Sequence, residues 1–161
     1  MKNRSLLTLV GLAISFAVPA FAQQTSTPDP QLHQRLVALV NKHADAFNKN
    51  DATAVAAAFT EDGVYLTETG PVIGRPAIEK YWADLFKQFH LSNEIVTVDE
   101  DSPHIIGTAG NEIWATGRWS ATLQGKDWGP NDVKGHWSVI REGEDWKIRI
   151  LTSITTPAPA K

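Results

Sequence analysis

The residues of this chain that could do chemistry are few, and the first is His43. It lies beside Val40 and Phe47 in a run whose apolar residues recur at helical spacing, so its imidazole shares the apolar face. Imidazole titrates near neutral pH and serves as general acid or base, the alternative being a core histidine with satisfied nitrogens. Tyr65 and Thr67 share one face of a predicted strand. A phenol there donates either to a ligand oxygen or to a backbone carbonyl. His136 and Ser138 are likewise two apart in a later strand-like run. Trp82 on a predicted helix and Trp119 on a predicted strand are large aromatics that suit a core or a pocket wall equally.

Other chemistries lack their residues. His33 and His43 are ten apart, no H-x-x-x-H or H-x-H occurs, and Asp99-Glu100-Asp101 alternates between strand faces, so no metal site is expected. The chain has no cysteine, which excludes disulfides and a thiol nucleophile. No glycine-rich phosphate loop follows a strand and no G-x-S-x-G elbow occurs, so no nucleotide or flavin cofactor is expected.

Residues 1–22 are expected to be a signal peptide. Lys2 and Arg4 precede an apolar run from Leu6 to Val18, and Ala20-Phe21-Ala22 forms a cleavage box. The run is shorter than the ~20 residues that span a bilayer. Cleavage after Ala22 predicts a periplasmic or secreted protein with no membrane segment in its mature form. Losing Lys2 and Arg4 takes the net charge from −3 to −5. An acidic chain is poorly suited to phosphate neutralisation, so no nucleic-acid partner is expected.

The elements that position these residues follow from periodicity. Residues 23–29 read as a disordered leader and 155–161, TTPAPAK, as a disordered tail. Asp29-Pro30 opens a helix over 30–48; Asp51 caps a short second one, and Glu61-Asp62-Gly63 turns the chain. Val64–Thr67 and Pro71–Ile73 form a hairpin, and Gly74-Arg75-Pro76 starts a third helix with Ile78, Trp82, Leu85, Phe86 and Phe89 on its apolar stripe. Strands are predicted over 92–101, 104–108, 111–124, 133–142 and 146–154, with 125–132 a loop holding Trp128. Gly117 inside the long strand predicts a bend. Helices followed by a strand meander indicate an α+β domain over 30–154, with a curved antiparallel sheet and three helices on its concave face.

The run AFNKNDATAVAAAFTEDGVYLTETGPVIGRPAIEKYW, with the final WKIRI, resembles the SnoaL-like and ketosteroid-isomerase-like branch of the nuclear transport factor 2 superfamily. The closest similarity is to small exported members of the SgcJ/EcaC type. The resemblance implies a cone-shaped, cystatin-like fold with a ligand cavity and homodimers. It places Thr67 where steroid isomerases carry their catalytic aspartate, His43 at an oxyanion tyrosine, Ser138 at a protonated acid and Trp82 at a pocket aromatic. Steroid isomerisation is therefore not expected. It also turns His136, Ser138, Trp119 and Leu151 into the cavity, whereas simple alternation would bury Trp137, Val139, Ile148 and Ile150; we follow the implied register. The expected catalytic set is then His43, His136 and Tyr65, with Thr67, Trp82, Trp119, Ser138 and Leu151 touching the ligand. The reading is an exported domain binding a small, largely apolar molecule. Cofactor-independent isomerase, cyclase or dehydratase activity stands beside a non-catalytic binding or dimeric assembly role.

Overall fold

The protein, seen in a computed structural model, is described over residues 30–106, 111–124 and 126–154, with the backbone alone at 126–134, 153 and 154. The expected signal peptide, leader and tail lie outside the described residues.

Three helices come first. Helix α1 (Pro30–Asn48) buries Leu32, Leu36, Val40, His43, Ala44, Ala46 and Phe47, the stripe its periodicity predicts. Helix α2 (Ala52–Ala56) is capped by Asp51, whose Oδ1 accepts from the Ala54 N–H at 2.9 Å. Helix α3 (Arg75–Gln88) starts after Gly74, at φ 88, and carries Pro76 in its first turn.

Among the described residues seven strands form one sheet in the order β2-β1-β7-β6-β5-β3, with β4 also pairing with β5. They are β1 (Phe59–Thr67), β2 (Gly70–Ile73), β3 (Leu91–Val98), β4 (His104–Ile106), β5 (Glu112–Leu123), β6 (Lys126–Glu142) and β7 (Asp145–Ile154). All pairings are antiparallel except β1 with β7. The sheet is curved and unclosed, its inner face packed against the helices.

Two segments depart from the sequence reading. Glu61-Asp62-Gly63 is a bulge inside β1 and not a turn ahead of it: Phe59 pairs with Ile148 and Val64 with Ile150. Arg75 holds that bulge, donating from Nε and Nη2 to the Phe59 carbonyl at 3.0 and 2.7 Å and from Nη1 to Glu61. The expected loop at 125–132 belongs from residue 126 onward to β6, whose Trp128 pairs with Ala121. The Trp128 side chain lies outside the described residues.

The glycine inside β5 has a steric cause. A Cβ at Gly117 would sit 1.8 Å from the Thr97 carbonyl oxygen and 2.5 Å from the Trp137 ring, so only glycine fits. Gly117 pairs with Gly135 across the β5–β6 ladder. Trp137 packs over both glycines and is buried to 4 % exposure.

Face assignment on β6 goes against the implied register, while on β7 Leu151 faces the cavity as that register implies. Residues directly opposed in an antiparallel ladder share a face. Ala115 pairs with Trp137 and Ile113 with Val139, and all four are buried; Trp114 pairs with Ser138, and Thr116 with His136. Once Ala115, Gly117 and Trp119 face inward, Trp137 and Val139 must do so too, and His136 and Ser138 cannot. On β7 a bulge between the Val139–Ile148 and Ser138–Ile150 pairs inserts Arg149. That extra residue lets Ile148 and Leu151, three apart, both face the core.

Candidate functional site

Helix α1, helix α3 and the inner faces of β1, β3, β5, β6 and β7 surround a small cavity with ≈ 20 Å³ of free space. Its wall is largely apolar: Val40, Tyr65, Trp82, Val96, Trp119, Trp137 and Leu151, with His43 and Glu94 as its ionisable groups. Trp82 anchors one side. It stacks on Tyr65 and Phe86 with centroids 5.6 Å away in each case, and Phe47 meets it edge-on at 5.4 Å. Such pairs add about 0.5–1.5 kcal/mol each beyond burial, so this wall is stiff. Tyr81 packs against Tyr65 at 5.6 Å. Burial pushes its phenol above the usual value, and the nearby Glu68 charge adds to the shift.

The polar centre is a pair the sequence did not suggest. His43 Nδ1 lies 3.1 Å from Glu94 Oε2, and the other carboxylate oxygen accepts from Trp119 Nε1–H at 2.7 Å. The two side chains are 7 % and 1 % exposed. An ionised carboxylate offers acceptors only, so Nδ1 then carries the proton and donates. Nε2, which keeps its lone pair in the neutral imidazole, is buried and without a protein partner. This is the carboxylate–imidazole arrangement that orients a general base. Trp82 Nε1–H, which can only donate, is also buried and unpartnered in the same wall residue set.

Glu94 faces inward because β3 is bulged. The ladder with β5 shifts between Ser92 and Ile95, and Asn93 takes φ 54. Leu91 and Glu94, three apart, are thereby both buried. An Asn-Glu pair just ahead of the β-branched run Ile95–Val98 is the available sequence signal. Asparagine tolerates positive φ, and glutamate is uncommon in strand interiors.

Of the expected site residues, His43, Tyr65, Trp82, Trp119 and Leu151 meet in this cavity. His136 and Ser138 do not, for the pairing reason above. His136 packs at a tilt against the partly exposed Trp114, ring centroids 5.6 Å apart, on the opposite face of the sheet. The Ser138 hydroxyl donates to Glu112 at 2.9 Å. Thr67 ends β1 beyond the cavity wall, its hydroxyl donating to the Gly70 carbonyl at 2.7 Å and so closing the hairpin. A wider groove of ≈ 420 Å³ between α1 and the β6–β7 turn carries scattered surface charges, including Arg35, Lys42, Glu144 and Asp145, and holds no buried ionisable pair. Among the described residues no cluster of three or more His, Asp or Glu could hold a metal ion.

The family model described as the SnoaL-like domain matches residues 40–151, a span that begins and ends on the cavity wall. The chain belongs to the SnoaL-like domain family. Solved structures agree in fold. A protein of unknown function from Mycobacterium tuberculosis shares 20% identity at TM-score 0.68, covering 78% of this chain and 77% of its own. A cystatin-like domain of unknown function from Nostoc punctiforme shares 18% at 0.68, covering 81% of each. A Catenulispora acidiphila protein, solved in complex with S-DNPA, shares 16% at 0.60, covering 78% of this chain and 95% of its own. No curated protein matches the sequence of this SnoaL-like chain.

Proposed function

We propose that this SnoaL-like domain binds a small, largely apolar ring compound in the Trp-lined cavity and moves a proton on it without a cofactor. The observation that carries this reading is the buried His43–Glu94 pair at 3.1 Å, set in an apolar wall with Nε2 unpartnered. The free space enclosed is ≈ 20 Å³, below the about 300–1,000 Å³ of ligand pockets, so in this reading the aromatic wall opens to admit the ligand. In this reading His43 Nε2 takes the proton, Glu94 stabilises the imidazolium that forms, and Trp82 Nε1–H receives the oxygen on which charge develops. The reaction class is an isomerisation, cyclisation or elimination in which the proton is the only species the protein carries. The ligand held by the Catenulispora acidiphila protein supports small-molecule binding by this fold.

The remaining expectations join the proposal. The signal-like residues 1–22 support a periplasmic or secreted location. The partly exposed Trp114 beside His136, on the sheet face away from the helices, supports a homodimer.

A panel of small ring ketones and phenols, followed by Trp fluorescence and thermal shift, tests the reading. Binding and any turnover should be lost in His43→Ala and kept in His136→Ala. Equal loss in both variants, or binding with turnover that ignores His43, would overturn it.

A further inference from the structure

Asn48, the last residue of α1, grips both backbone groups of Glu94. Its Oδ1 accepts from the Glu94 N–H at 2.6 Å and its Nδ2 donates to the Glu94 carbonyl at 3.2 Å. That is the exchange a neighbouring strand would make with one residue of a ladder. It is needed here because the β3–β5 register lapses between Ser92 and Ile95, so β5 cannot hold this stretch alone. The surrounding bonds serve the same point. Asn50 Nδ2 donates to the Leu91 carbonyl at 3.3 Å, and Asn93, at φ 54, ties its amide to Thr122 Oγ1 at 3.3 Å.

The clamp and the base share one rigid element. His43 and Asn48 stand on the same helix, so α1 sets the position of the imidazole and, five residues on, the position of the backbone that carries its carboxylate partner. A displaced bulge would return Glu94 to the parity of an unbroken strand, on which it cannot share a face with Leu91. Trp119 and His43 would then lose their common acceptor.

We propose that Asn48 is a positioning residue for the His43–Glu94 pair: an exposed side chain at the end of α1 that holds the β3 bulge open so that the carboxylate reaches the cavity. The inference rests on the reading of that pair as an oriented base.

The test uses the 15N-labelled protein and long-range 1H–15N spectra of its histidine and tryptophan side chains. The wild type should show neutral His43 protonated at Nδ1 and the Trp119 indole proton shifted downfield by its carboxylate bond. Asn48→Ala should lose both features. Asn93→Ile should lose them too, because a β-branched residue resists positive φ, and Asn93→Gly should keep them, because glycine accepts it. Ile78→Val, in the fully buried stripe of α3, should lower Tm and leave both features in place. If Asn48→Ala does not fold, Asn48→Ser, too short to span both groups, is judged by the same two signals. Asn48 variants that keep both signals overturn this inference alone. A wild type without them overturns the reading of the pair as well, and loss in Ile78→Val shows that the signals report general loosening and refutes the positioning role.

Discussion

Replacing Glu94 by glutamine or by alanine separates what the carboxylate does for stability from what it does for His43. In Glu94→Ala two buried donors, His43 Nδ1–H and Trp119 Nε1–H, lose their acceptor. Each orphaned donor costs about 1–3 kcal/mol, so the two together cost about 2–6 kcal/mol. We take about 4 kcal/mol, a large share of the ~5–15 kcal/mol that holds a domain folded. At roughly 4 °C per kcal/mol for a domain of this size, Tm should fall by about 16 °C. Glu94→Gln is nearly isosteric. Its amide oxygen still accepts from Trp119, while its NH2 faces His43 Nδ1, which must become the acceptor. The cost is about 1 kcal/mol, the difference between a charge-assisted and a neutral hydrogen bond, or roughly 4 °C. The chemical consequence is larger than the thermal one. Neutral His43 moves its proton to Nε2, the nitrogen proposed as base becomes a donor, and proton abstraction stops in a folded protein. Thermal unfolding with histidine 1H–15N spectra reads both effects. A Glu94→Gln protein with His43 still protonated at Nδ1, or a Glu94→Ala protein within about 1 kcal/mol of the wild type, would refute the reasoning.

Gly117→Ala should cost several kcal/mol, on the scale of about 1–3 kcal/mol for overpacking plus a backbone shift, since its Cβ would lie 1.8 Å from the Thr97 carbonyl oxygen; a normal urea midpoint would contradict the close approach. Asp51→Ala should destabilise by about 1 kcal/mol through loss of the cap on Ala54 N–H, measured by urea unfolding. The raised Tyr81 phenol binds its proton more tightly folded than unfolded. Its contribution is therefore full below the ordinary tyrosine pKa and is lost as pH rises through the folded value, so stability should decline in the alkaline limb above about pH 10. Tyr81→Phe should flatten that decline, and an unchanged slope would rule Tyr81 out as its source. Asp84, whose carboxyl the Lys80 hydrogen bond holds below its usual value, should give only a small, salt-screened loss as pH falls below the ordinary carboxylate range, visible as a difference between the wild type and Asp84→Asn.

Much of the architecture was legible because it rests on local rules. The apolar period of α1, the Asp51 cap, the Gly74-Arg75-Pro76 start of α3 and the β-rich second half each need only a short window of sequence. The site was legible in part. His43, Tyr65, Trp82 and Trp119 stand where a helical stripe or a strand face puts them. His136 and Ser138 were misplaced because the register implied by the resemblance was followed on β6, where simple alternation puts Trp137 and Val139 inside.

By itself the sequence determined an α+β order of elements, an apolar stripe with a histidine on it, and a glycine inside the long strand. These are properties of composition and short-range spacing. Only the tertiary structure decided that Glu94, fifty-one residues from His43, meets it inside the core. The reason is that two bulges, at Asn93 in β3 and at Arg149 in β7, each shift a strand by one residue and reverse the parity of all that follows. A bulge depends on what grips it from elsewhere in the chain. For β3 that grip is Asn48, and no local pattern in either segment announces the pairing.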